Sequence, residues 1–324
     1  MLKTSTQAIL DFGMVPPPIS IHKIDNDLFA ASWACLRETL LVGQVPRYFK
    51  EAVATGAAEA NKCPYCVGAH SMMFDMFKPK INPPSHTGKA SNIMDTRALS
   101  NWATSCYLPK NSRPALPFPK IFQAEIIGTA VFFHYLTRMV SIYLGDSIIP
   151  KKLEWSVPIM MPLMRLLMGL NDKRRKKPGT SRLPNIPSNK GPEWADQDNV
   201  KTAFSQFQHI TENKISTILD KPMIEFINTY LSSWERLADT PGAGWVNRYI
   251  DDWPEMSLLK KQQARYMLLT IGSPYMILDD DKEFLMKKMG RSDLLSMTAW
   301  VALKAALKTG DSISSSEKRL STNT

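Results

Sequence analysis

The chain has 324 residues, 44% of them apolar and 22% charged, with a formal net charge of +10. That length and apolar share suffice for a large core and exclude a disordered or fibrous chain. Four cysteines, two of them in one close pair, do not make a secreted disulfide scaffold, so a reducing compartment, the cytoplasm, is expected.

Residues 1–24 lack a continuous apolar stretch and a small-residue cleavage site, so they read as an N-terminal arm and not as a signal peptide. From 25 to 62, apolar residues recur at three- and four-residue intervals and predict helices broken near Gly43 to Pro46, with Pro46 in the first turn of the second. Pro64 then opens a helix that continues to about Phe77, with Cys63 at its cap. Residues 78–120 carry seven prolines and read as an irregular excursion with one helix at 91–105.

A helix is predicted at 121–145, inside the most apolar part of the chain, 121–170. Glu125, His134 and Arg138 interrupt its first run, and Pro158, Pro162 and Arg165 interrupt the second, which is about 14 residues against the roughly 20 that a span needs. Buried core helices are therefore expected, with no transmembrane span. An interfacial segment is the second reading, because Met-rich apolar sequence runs directly into basic residues.

Residues 171–192 hold seven Lys or Arg against one Asp, most of them in the run 173–177, and their Pro, Gly and Ser content predicts a solvated linker. Because the excess charge is this local, no nucleic-acid partner is inferred. Helices follow at 196–219, 221–238, 257–271, 279–289 and 291–309, the last with Ser292 as its N-cap and Gly310 as its stop. The polar tail from Asp311 to 324 is expected to be disordered. With no alternating strand, the fold class is all-α: one helical unit at 25–170 and a second at 193–310.

The stretch NKCPYCVGAH, 61–70, carries the chemistry. Spacings of three, four and four put Cys63, Cys66, His70 and Phe74 on one stripe of a helix. A helix N-terminus stabilises thiolate over thiol, an imidazole can relay a proton, and two cysteines at this spacing can close a disulfide. The missing carboxylate is offered by Glu51 or Glu59 on the preceding helix, if that helix folds back antiparallel.

Glu51, Cys63, Cys66 and His70, as E-x11-C-x2-C-x3-H, resemble the core motif of the AhpD-like alkylhydroperoxidases of the carboxymuconolactone decarboxylase superfamily. The resemblance implies an all-helical fold and reduction of hydroperoxides through a sulfenic acid that condenses to a Cys63–Cys66 disulfide. It implies Cys66 as the attacking cysteine, Cys63 as the resolving one, and Glu51 and His70 as the proton relay. It also implies no cofactor, a homo-oligomer, and electrons returned by a thiol protein, lipoylated or thioredoxin-like. Members with a full relay have a histidine between the cysteines; here that position is Tyr65, so the relay is incomplete.

The rival reading of the pair is zinc, with Cys106 or His86 completing a tetrahedral set in a helical interaction module. A decarboxylase-type member of the superfamily is a further alternative, although such a protein needs no cysteine pair. His134 and Arg138 share a face and either line the pocket or form a satisfied core network; Cys35 and Cys106 read as small core residues. In the second half Ser273, Pro274 and Tyr275 stand where Cys63, Pro64 and Tyr65 do, while Met276, Asp280 and Lys261 replace Cys66, His70 and Glu51. That pattern suggests a degenerate second copy of the same unit.

Overall fold

The computed structural model describes residues 2–79, 94–106, 108, 112–147, 168–169, 176–183, 190–234, 242–251 and 256–320. It is all-α, with no strand among the described residues. The N-terminal arm is itself helical: α1 spans Leu2–Phe12, and α2, Pro17–Ser20, runs into a tight turn at Ile21–Ile24. α3, Asn26–Leu36, starts where the Asp25 side chain accepts the N–H groups of Asp27 and Leu28, both at 3.0 Å.

α3 continues into a π-helical turn, Arg37–Leu41, in which Arg37 and Glu38 are both buried. Arg37 pairs with Asp11 of α1 and with Glu38, each at 2.6 Å. Glu38 also accepts the Gly179 N–H at 2.9 Å, the Asn199 amide at 3.0 Å and the Ser181 hydroxyl. Residues 176–183 of the expected solvated linker are therefore strapped to the fold, because a buried carboxylate needs donors and this turn supplies them. Lys173, Arg174 and Arg175 lie outside the described residues, as does the apolar stretch 148–167.

The break before α4, Arg47–Ala60, is built around a charge. Glu125 accepts the N–H groups of Gln44 and Val45 at 2.8 and 3.0 Å and pairs with the buried Lys50 at 2.7 Å. Gly43 takes a φ of +113°, and a Cβ there would lie 2.2 Å from the Glu125 carboxylate, so the turn requires glycine. α5 spans Pro64–Phe77 and α6 spans Thr96–Ser105, the latter capped by Asp95 onto the Ala98 N–H at 2.8 Å. α7, Gln123–Tyr143, carries Glu125, His134 and Arg138 and is buried over almost its whole length. The segment Lys120–Tyr143 is long and apolar enough to cross a membrane, yet 89% of its most apolar window is buried within the protein.

The second half contains α8 (Asp198–Ile218), α9 (Lys221–Ser233), α10 (Asn247–Asp251), α11 (Leu258–Gly272), α12 (Asp279–Met289) and α13 (Arg291–Leu320). Two expectations fail on α13. The Leu294 N–H bonds the Gly290 carbonyl at 3.1 Å, so the helix starts one residue before Ser292, and it runs through Gly310 to Leu320. A Cβ at Gly310 would lie 2.7 Å from Trp194 Nε1, so this glycine admits a close approach and stops nothing; Ile313 beyond it is 2% exposed. The expected disordered tail is thus helical through Leu320, because its first turn still has a core to pack on. α13 also joins the two halves: Leu295, Ala299 and Leu303 pack in one apolar cluster with α3, α4 and α7, while Met297, Val301 and Ala305 pack in a second with α9 and α11.

Two outcomes are expected. Gly43→Ala should lower unfolding stability by about 2 kcal/mol or more, from positive-φ strain and disruption of the Lys50–Glu125 pair, whereas Gly145→Ala, in open space, should change it by less than about 0.5. Urea titration of both variants measures this. His22, whose Nε2 is 2.5 Å from the Tyr135 hydroxyl, is held neutral by burial, which lowers its pKa from 6.5 to about 4. The unfolded chain takes up that proton first, so its contribution is full above pH 6.5 and is lost as the pH falls towards 4. His22→Gln should flatten the urea midpoint across that interval.

Candidate active site

α4 and α5 are joined by a turn that delivers the cysteines. Lys62 adopts a φ of 53°, the Cys63 N–H reaches the Ala58 carbonyl at 3.1 Å, and the Asn61 amide donates to the Ala57 carbonyl at 2.9 Å. The end of α4 is thereby satisfied as in a left-handed cap, and Cys63 becomes the N-cap of α5 with Pro64 at its first position.

The two sulfurs lie 2.8 Å apart, both buried and both unoxidised. The contact with the Cys66 thiol holds the Cys63 pKa below the ordinary thiol value, helped by the Cys66 N–H and the Ser141 hydroxyl against the opposing effect of burial. Burial pushes Cys66 well up, and the neighbouring Cys63 adds to this. Of the two thiols Cys63 is therefore the one that ionises first.

Glu51 is completely buried. One carboxylate oxygen accepts from Arg47 Nε at 2.9 Å, and the other is 2.7 Å from His70 Nδ1. Burial works to raise the Glu51 pKa, but the Arg47 guanidinium and the His70 contact outweigh it and hold the carboxyl below its ordinary 4.5. An ionised Glu51 makes Nδ1 of His70 the donor, so Nε2 is the nitrogen left to exchange a proton. The Phe133 ring meets His70 edge-on at 4.3 Å and fixes its plane. The guanidinium of Arg47 lies 4.0 Å from the Phe77 ring and 5.0 Å from that of Phe12.

Cys66, His70 and Tyr65 line one cavity of about 260 Å³. The rest of its wall is apolar: Leu36 and Leu40 from α3 and the π turn, Phe133 and Leu136 from α7, Met72 and Met73 from α5, and Phe12 with Pro16 to Pro18 from the N-terminal segment. Burial, with the charges of Cys66 and Cys63, pushes the Tyr65 phenol up to about 12, so it is neutral and carries its hydrogen.

The structure thus brings together Glu51, Cys63, Cys66, His70 and Tyr65. His134 and Arg138 do not line the cavity. His134 Nδ1 is 2.8 Å from the Asn61 amide, and Arg138 donates to the His134 carbonyl and, at 3.0 and 3.2 Å, to the Ile271 carbonyl at the end of α11. They are the core network, tying the cysteine turn to the second half. Glu59 is exposed and accepts from Thr104 at 2.9 Å, away from the sulfurs.

Among the described residues no group of three or more His, Cys, Asp or Glu side chains converges to hold a metal. Cys106 donates to the Trp102 carbonyl at 3.4 Å, and His86 lies outside the described residues. Sequence reasoning missed Arg47, although its four-residue spacing from Glu51 on one helix was a usable signal. It also missed Phe133 and the prolines of the cavity wall, whose contacts no local pattern announces.

In Arg47→Met burial would act on Glu51 with less opposition, and the Glu51 carboxyl titration, followed by carbon-13 NMR, should move up by at least about one unit. An unchanged titration would show that His70 alone keeps the carboxylate charged.

No family model matches the chain. The alkyl hydroperoxide reductase Rv2159c of Mycobacterium tuberculosis is 31% identical to it over 316 residues, which cover 94% of this chain and 88% of that protein. Similarity of that extent runs through both helical halves, and it accompanies a helical fold built around the motif of Glu51, Cys63, Cys66 and His70: the chain belongs to the AhpD-like alkylhydroperoxidases.

Proposed function

We propose that this chain is an enzyme that reduces organic hydroperoxides through a Cys63–Cys66 dithiol cycle, in antioxidant defence. The observation that carries the reading is the pair of sulfurs 2.8 Å apart on a helix N-terminus, with Cys66 on the wall of an apolar cavity that also holds a histidine bonded to a buried carboxylate. The relative's name, an alkyl hydroperoxide reductase, supports the substrate class.

In the first step Cys66, the sulfur on the cavity wall, loses its proton to the Cys63 thiolate as the substrate arrives. It attacks the terminal peroxide oxygen: an S–O bond forms, the O–O bond breaks, and the alkoxide takes one proton to become an alcohol. Cys66 is left as a sulfenic acid. Cys63 then attacks the Cys66 sulfur, the S–S bond forms, the S–O bond breaks, and hydroxide leaves with the second proton as water. Dithiol plus hydroperoxide gives disulfide, alcohol and water, so atoms and electrons balance. The proton that Cys63 gave up to solvent on ionising returns in the second step through His70, oriented by Glu51, to the departing hydroxide.

A thiol protein, lipoylated or thioredoxin-like, returns two electrons to the disulfide, and the enzyme works as a homo-oligomer in the cytoplasm. The walls favour a hydrocarbon body over hydrogen peroxide, since burying each methylene contributes about 0.8 kcal/mol. The second half is read as a degenerate copy of the first: α11 leads through Ser273 into a short turn at Pro274–Met276, as α4 leads through Cys63 into α5.

Mass spectrometry before and after cumene hydroperoxide should show loss of two hydrogens between Cys63 and Cys66, and Cys66→Ser should abolish it. Persistent free thiols in the wild-type chain would overturn the reading.

A further inference from the structure

The cycle above leaves one step without an assigned group, the delivery of a proton to the departing alkoxide. An alkoxide expelled unprotonated into an apolar cavity is a buried, unsolvated charge, so this delivery controls how fast the O–O bond breaks. The donors on the cavity wall are few: among the described residues, Cys66, His70 and Tyr65 are its only side chains that carry a hydrogen on sulfur, nitrogen or oxygen. Cys66 is the attacking atom. His70 directs its Nδ1 hydrogen to Glu51 at 2.7 Å, and its other nitrogen has no hydrogen to give in that tautomer.

Tyr65 remains. It follows Pro64 in the first turn of α5, is the chain neighbour of Cys66, and lines the same cavity. Its hydroxyl makes no hydrogen bond to the described residues, which leaves its hydrogen uncommitted.

Resting on the dithiol reading, we propose that Tyr65 is a catalytic acid that donates its hydroxyl hydrogen to the leaving oxygen of the hydroperoxide as Cys66 attacks. The O–O bond breaks, the alkoxide becomes an alcohol, and the Tyr65 phenolate recovers a proton from the Cys63 thiol. That last transfer runs downhill, from a thiol to a phenolate whose conjugate acid is pushed up to about 12 by burial. It also leaves Cys63 as the thiolate that resolves the sulfenic acid. One residue would thereby couple the first step to the second, in the position between the cysteines.

The test compares two oxidants whose leaving groups differ in their need for a proton. tert-Butyl hydroperoxide expels a strongly basic alkoxide; perbenzoic acid expels a carboxylate that leaves unaided. Rapid-quench mass spectrometry of disulfide formation is run on the wild-type chain, Tyr65→Phe and Tyr65→His, with maleimide labelling to verify that the thiols react normally. Tyr65→Phe should slow the reaction with tert-butyl hydroperoxide roughly 100-fold and that with perbenzoic acid by less than about 3-fold, and Tyr65→His should recover most of the loss. Equal losses with the two oxidants, or none, would overturn the assignment while the dithiol cycle stands. A wild-type chain that forms no disulfide with either oxidant would overturn both.

Discussion

A carboxylate with no exposed surface sits at the centre of this site. Isolated in an apolar interior, Glu51 would take up a proton and lose its charge. It stays ionised because Arg47, one turn earlier on the same helix, and His70, on the next helix, reach it from two sides at 2.9 and 2.7 Å. The guanidinium in turn rests between the rings of Phe12 and Phe77. One buried charge therefore sets the approach of α4 to α5, fixes which nitrogen of His70 bonds the carboxylate, and pins the end of α1 over the cavity.

The residue before it shows why α4 cannot slide. Adjacent residues on a helix point about 100° apart, so Lys50 leaves α4 on a different side from Glu51. It meets Glu125 of α7 at 2.7 Å, and the same carboxylate holds the backbone of the Gly43 turn where α4 begins. Burial lowers the Lys50 pKa, and Glu125 is the group that opposes this. Breaking such a buried pair leaves an uncompensated charge, which costs about 3–5 kcal/mol. The register of α4 is thus set by two buried ion pairs facing different neighbours.

This division explains what could be read from the chain alone. The carboxylate, the histidine and the thiols come from residues 47–70, two helices and a tight turn, where covalent spacing dictates geometry; hence the proximity of Glu51, Cys63, Cys66 and His70 was legible. So were the all-α class and most helix boundaries, because periodicity and caps are local. What failed was long-range. The linker read as solvated because nothing near Gly179 or Ser181 reveals Glu38, about 140 residues away. Gly310 read as a stop because a glycine at a helix end and a glycine at a close contact look alike until Trp194 is in place. His134 and Arg138, equally compatible with pocket and core, were decided by the carbonyl of Ile271 in the other half.

The same division separates chemistry from selectivity. Much of the cavity wall facing the α5 residues comes from α1, the N-terminal prolines, the π turn and α7, all outside residues 47–70. The N-terminal wall is fastened by Asp11 to Arg37 and by His22 to Tyr135, contacts that do not touch the sulfurs. Substitutions there can reshape the cavity while leaving the Glu51–His70 pair intact. The exception is Phe12, which lines the cavity and also lies on the guanidinium of Arg47. At that ring the shape of the cavity and the charge state of Glu51 are mechanically linked, so a change of cavity shape made there reaches the Glu51–His70 pair as well.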